Sequence, residues 1–267
     1  MKPIRSFVKR NSFVVFVVLA YVLSWWPALF HAGILPHGPL LAAVLVVGLS
    51  EGKAGLKAWW SRMVRRVAWR WYAVAATIPL VLTFTAPGLN LLLGAQLPVQ
   101  IDWIIPFQVL PILLLMGGQW EEPGWTGFGL PRLFERFGPS VAGTVTATLI
   151  MAVIRTAWHL PLMLSGSIYW SDIVLVIAFQ IVLTWLFNRT GGVVLAVMLC
   201  HLVNNIVSGA FIGRWFTGAD GVNNAWLFAG LWGLLALGLL LATRLTLGRK
   251  PALQAEAPRV GQPLAAK

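Results

Sequence analysis

Charge is scarce in this chain. Only 10% of its 267 residues are Asp, Glu, Lys or Arg, and no more than eight are acidic. A single cysteine, Cys200, excludes an intramolecular disulfide and any multi-cysteine metal knuckle. Because consecutive helical residues point about 100° apart, Cys200 is expected to be a small packing residue that does not share the outlook of His201. There is no His-Glu-x-x-His, and no serine stands within Gly-x-Ser-x-Gly or Gly-x-Ser-Gly, so a zinc helix of that type and a serine nucleophile in either setting are excluded.

Apolar surface is what the chain has in excess. Apolar residues make up 58% and the mean hydropathy is +0.80, more than a soluble core of this size can hide. Runs near Ser12 to Phe30, Pro36 to Leu49, Trp71 to Leu93, Trp103 to Trp120, Ser140 to His159, Ile173 to Phe187, Val193 to Ile212 and Ala225 to Ala242 approach the roughly 20 residues of a spanning helix. The expected fold is all-α, a polytopic membrane protein with about eight transmembrane helices. The second and sixth runs are short, which tilt or an interfacial position accommodates.

Of the 20 basic residues, all but Arg155 and Arg214 fall at the chain ends or in alternate loops. The positive-inside rule makes that face cytoplasmic and puts both termini on it, in a multi-pass protein of the cell membrane. The net charge of +12 is therefore a topology signal, and no nucleic-acid partner is expected. Tryptophans near the helix ends read as an interfacial belt, and the apolar run after the basic start lacks a small-residue cleavage site, so it reads as an uncleaved anchor. Between the second and third runs, Leu56, Trp59, Trp60, Met63, Val67 and Trp71 recur at helical spacing opposite Lys57, Arg62, Arg65 and Arg66. That pattern predicts a cytoplasmic interfacial amphipathic helix drawn to anionic lipids. Residues 1–247 form one transmembrane domain, and the Pro-, Ala- and Gln-rich stretch 248–267 reads as a disordered cytoplasmic tail.

Against this background, the adjacent Glu121 and Glu122 after the run Ile104 to Met116 stand out, because an ionisable group at membrane depth is costly and usually lines a cavity or reaction site. Pro111, Gly117, Gly118, Pro123, Gly124 and Gly127 break the helix around them, as a cavity-lining segment tolerates. His159 and His201 also lie in membrane runs, and Asn205 shares a helix face with His201 at i to i+4. A shielded carboxylate can act as general base on water, and imidazole and carboxamide donors can hold an oxyanion. Glu and His also ligate zinc, so a divalent metal is the alternative. His31, His37, Asp102, Asp172, Arg214 and Asp220 fall in outer loops or at helix ends, are expected to be solvated, and receive no role.

The segment from Glu121-Glu122-Pro-Gly-Trp-Thr-Gly-Phe-Gly to Leu133, then Trp158-His159-Leu160-Pro161-Leu162, then His201-Leu-Val-Asn-Asn205, resemble in that order three motifs of the CPBP family of intramembrane endopeptidases. This is the group of CAAX prenyl proteases and bacteriocin-processing (Abi) proteins. The resemblance implies a glutamate-type protease in which Glu121 with His159 activates water, His201 and Asn205 steady the oxyanion, and Glu122 supports the pair. It also implies a membrane-associated peptide or prenylated protein as substrate and no organic cofactor. The expected cavity opens to the cytoplasmic side. Trp125, inside the first motif, stands with Arg155 as a substrate-binding or supporting residue.

The chain departs from the family pattern in carrying Thr126 where the family has Arg, and Arg155 where it has an aromatic. The opposite sense of the two changes predicts that Arg155, one turn before His159, supplies the missing cation to Glu122. A depth mismatch goes with this: at 1.5 Å per residue, Ser140 to His159 spans roughly 28 Å and Glu121 to Leu133 roughly 18 Å from the same turn. A non-catalytic binding or immunity protein and a proton-coupled transporter are the rival readings of the same polar cluster. Thr217-Gly-Ala-Asp220 is not the Gly-x-Gly-Asp of presenilin-like proteases.

Overall fold

The computed structural model describes residues 2–97 and 100–249, so all but the first two positions of the expected tail 248–267 lie outside the described residues. In chain order the α-helices are α1 (Lys2–Arg10), α2 (Ser12–Trp25), α3 (Gly38–Ser50), α4 (Gly52–Met63), α5 (Trp69–Leu92), α6 (Ile105–Met116), α7 (Glu122–Gly124), α8 (Leu130–Phe137), α9 (Val141–Trp158), α10 (Leu160–Leu164), α11 (Asp172–Arg189), α12 (Val194–Asn204) and α13 (Gly218–Ala242). The described residues contain no strand. The protein is an all-α, polytopic membrane protein.

Six helical segments are long and apolar enough to cross a membrane: Ser12–Phe30, Trp69–Leu92, Val141–Trp158, Asp172–Arg189, Val194–Arg214 and Gly218–Ala242. The other two runs of the expected eight make the shorter α3 and α6, of 13 and 12 residues. Gly117 stops α6 by turning extended (ψ 165°). The chain then passes through a 3₁₀ turn (Gly118–Glu121), α7 and a π-turn (Trp125–Gly129) into α8. Pro123 and Pro131 sit in first turns, where a missing N–H breaks no ladder bond. The amphipathic helix is α4; it ends at Met63 rather than running on through Trp71. Trp59 and Met63 pack inward, Met63 against Gly127, whereas Trp71 must meet Trp185 of another span, 5.9 Å between rings.

Among the described residues most of the basic side chains gather at one end, Arg155 and Arg214 apart. Arg65 donates to the Gly191 carbonyl, Arg132 pairs with Glu51, and Arg249 donates to the Gly138 carbonyl at 2.7 Å. The other end is built from the loops around Gly33, Leu162 and Asp220, with Trp215 packed on Phe84 and Trp103. Between them Phe16, Trp125, Leu130, Met151 and Trp158 form a close-packed, wholly buried core. Two donors from α2 hold the end of α9: Tyr21 Oη to the Ile154 carbonyl (2.6 Å) and Trp25 Nε1 to the Trp158 carbonyl (2.9 Å). The second meets a carbonyl that the helix end leaves without an intrahelical donor.

Candidate active site

The expected depth mismatch disappears because α8 continues to Phe137, four residues past Leu133. Glu121 thus stands about 26 Å up its arm from the turn at Gly138, between the roughly 22 Å of Arg155 and the roughly 28 Å of His159 up α9 from Ser140. Arg155 is level with the carboxylates, and His159 sits one turn beyond.

Glu122 is fully buried and completely bonded. Its Oε1 accepts from Arg155 Nη2 and from His201 Nδ1, each at 2.7 Å, and its Oε2 accepts from Thr126 Oγ1 at 2.5 Å and from Arg155 Nη1 at 3.4 Å. Arg155 is 1% exposed, so it does not snorkel to an interface. The cation expected to replace the family arginine reaches Glu122 from α9, and Thr126 bonds the same carboxylate. Removing a partner from a buried pair of this kind costs about 3–5 kcal/mol, so the three groups hold one another in place.

Glu121 is different. Its Oε2 meets Arg155 Nη2 at 3.5 Å, and its Oε1 has no hydrogen-bond partner among the described residues. That oxygen faces Gly118. A Cβ placed on Gly118 would lie 2.6 Å from His201 Nε2, 2.7 Å from Asn205 Nδ2 and 2.9 Å from Glu121 Oε1, so no two of these atoms are more than twice 2.9 Å apart. Only glycine leaves this point open. A carboxylate can only accept, so the proton between His201 and Glu122 is on Nδ1, and Nε2 is the ring atom turned to Gly118.

Glu121, Arg155, His159, His201 and Asn205 line one cavity of about 380 Å³. His159 donates its Nδ1–H to the Arg155 carbonyl at 2.8 Å, which leaves Nε2 as an acceptor; it makes no hydrogen bond to Glu121. Glu122 lies behind the cavity wall. Trp125 does not line the cavity: it is fully buried against Phe16 and Trp158 and supports the wall by packing. Cys200 is buried, as expected of a packing residue.

Four features were not foreseen. Gln180 accepts from Arg155 Nη1 at 3.0 Å and donates to Thr184 Oγ1 at 3.0 Å, which extends the buried chain of bonds into α11. Asn204 lines the cavity beside Asn205, because it ends α12 three residues after His201 and i to i+3 shares a helix face as i to i+4 does. Asp172 is half-buried in the cavity wall and not solvated as its place at a helix start suggests. Asp220, also half-buried, accepts from the Gln96 amide at 3.3 Å.

The cavity opens the wrong way for the expectation. Ile34, Pro36, Leu162 and Ile168 line it, and these belong to the end opposite the basic cluster, while the packed core around Trp125 closes it towards that cluster. The reason is polarity: α9 and α12 both run away from the basic end, and they bring their far halves to the site.

Among the described residues no three His, Cys, Asp or Glu side chains are disposed to hold an ion. Both Glu122 oxygens and the Nδ1 atoms of both histidines are bonded to protein groups, which leaves Glu121 Oε1 and the two histidine Nε2 atoms as the uncommitted atoms of these side chains.

Residues 103–207 match the model of the family described as Rce1-like, Type II CAAX prenyl endopeptidase Rce1-like. The match runs from the start of α6 into the π-turn of Asn205–Phe211, takes in all three motifs, and agrees with a CPBP-type intramembrane endopeptidase. No curated protein matches the chain.

Proposed function

We propose that this protein is a glutamate-type intramembrane endopeptidase that cleaves a membrane-associated peptide. The family match supports protease activity of the CAAX type in general. The observation that carries the finer reading is the meeting of Glu121 Oε1, His201 Nε2 and Asn205 Nδ2 around Gly118. Glu121 takes a proton from water as its oxygen attacks the peptide carbonyl carbon. The oxyanion of the tetrahedral intermediate accepts from Asn205 Nδ2–H and from the Nε2–H of a protonated His201, whose charge Glu122 offsets through Nδ1. Glu121 then returns its proton to the amine nitrogen as the C–N bond breaks. His159 is assigned to the water or the substrate amide, through its free Nε2. No step calls for a cofactor.

The basic end is proposed to face the cytoplasm, with both termini there and with α4 on anionic lipid. The cavity then takes its substrate from the opposite side of the membrane. That favours an exported or leader-type peptide over the cytosolic tail of a prenylated protein.

The test is cleavage of a lipid-tethered peptide set by the full chain in liposomes. The native protein is expected to cleave, Glu121→Gln to lose at least about 10²- to 10⁴-fold, His159→Ala to lose activity too, and a chelator to change nothing. Peptide binding without cleavage by the native protein overturns the enzyme in favour of a binding or immunity role. Loss of cleavage on chelation restores the metal alternative.

A further inference from the structure

A second chamber of about 230 Å³ adjoins the reactive cavity, and the two share Ile168, Asp172, Leu175, Ser208 and Gly209 as walls. The chamber holds one carboxyl group, Asp172, among hydroxyl and carboxamide groups that can each accept a hydrogen bond, and no cationic side chain lines it. Asp172 is the only acidic or basic side chain in its lining, and no basic group pairs with it among the described residues. Thr83, 1% exposed, has a buried Oγ1 without a hydrogen-bond partner, and Asn224 Oδ1 is buried and unpartnered as well. Buried polar atoms are rarely left unpaired without a reason. A carboxylate with orphan oxygens beside it suits a guest that is cationic and carries several N–H groups.

We propose that this chamber is a specificity subsite for a lysine or arginine side chain of the peptide, with Asp172 as the residue that reads its charge. This rests on the protease reading. Asp172 lies about 10 Å along α11 from Phe179, whose ring stacks edge-on against His201 (5.1 Å). An extended peptide advances about 3.3 Å per residue, so the basic residue belongs two or three positions from the scissile bond. Gly209 guards the passage: a Cβ there would meet no atom within 4 Å, and a larger side chain would project into the space the chambers share.

The experiment walks one Lys through an otherwise neutral tethered peptide, with norleucine as the uncharged control, and uses the full chain in neutral-lipid nanodiscs. Binding is measured on Glu121→Gln, cleavage on the native protein. At one register Lys should bind roughly ten- to a hundredfold tighter than norleucine, the range of a charge-assisted hydrogen bond. Asp172→Asn should erase that preference without weakening the norleucine peptide. Asp172→Lys should transfer it to a Glu peptide, and Gly209→Leu should abolish it by obstruction. Equal binding of Lys and norleucine at every register, or a preference that survives Asp172→Asn, overturns the subsite. A Lys preference in binding with no cleavage by the native protein keeps the subsite and sinks the protease; cleavage without charge preference does the reverse.

Discussion

The two ends of this molecule hold their charges in opposite ways. At the basic end the cations are mostly exposed, and they meet backbone carbonyls and two surface glutamates. Such pairs contribute about 0–1 kcal/mol each. Towards the other end a single arginine is buried between two glutamates, where partial pairing is worse than none. The first arrangement sets orientation and tolerates change. The second fixes atoms, and it leaves one carboxylate oxygen of Glu121 uncommitted while saturating Glu122.

The sharpest way to break this contrast is to ask which end meets the outside. With Cys200→Ala as background, Ser167→Cys lies at the cavity end and Ser61→Cys on the exposed face of α4. A membrane-impermeant maleimide applied to intact cells should label the first and spare the second; the reverse pattern would invert the orientation. Next in size, Arg155→Ala should lower stability in detergent by about 3–5 kcal/mol. Adding Thr126→Arg should recover part of that loss, because position 126 already touches Glu122, and a double variant no more stable than Arg155→Ala would show that the two sites do not exchange a cation. Gly118→Ala should reduce cleavage by about 10²-fold with the helix content intact, since its methyl displaces the three converging groups by a fraction of an ångström. Smallest is Gln180→Leu, which removes one acceptor from Arg155 and should cost about 1–3 kcal/mol in a melting experiment.

The sequence made the centre of the site visible because charge is so scarce in the apolar runs. Glu121, Glu122, His201 and Arg155 announce themselves, and the opposite sense of Thr126 and Arg155 foretold their shared partner. Gln180 and Thr184 did not, since uncharged polar residues in an apolar run carry no obvious cost; their i to i+4 spacing was the one available signal. Asn204 was legible too, since at i to i+3 from His201 it shares the helix face that Asn205 takes at i to i+4. The direction of the cavity was missed for a different reason. Periodicity assigns a residue to a face of its helix but says nothing about its height, and the broken arm from Gly117 to Phe137 sets that height. Asp172 reads as an ordinary helix start until the neighbouring spans enclose it.

One wall of the reactive cavity is fastened and another is not. The far end of α9 is tied to α2 by Tyr21 and Trp25, so swinging it outward breaks two hydrogen bonds. By contrast α6 buries none of its residues and hangs from the extended link at Gly117. Displacing the α6 side would therefore uncover less buried surface than displacing the α9 side.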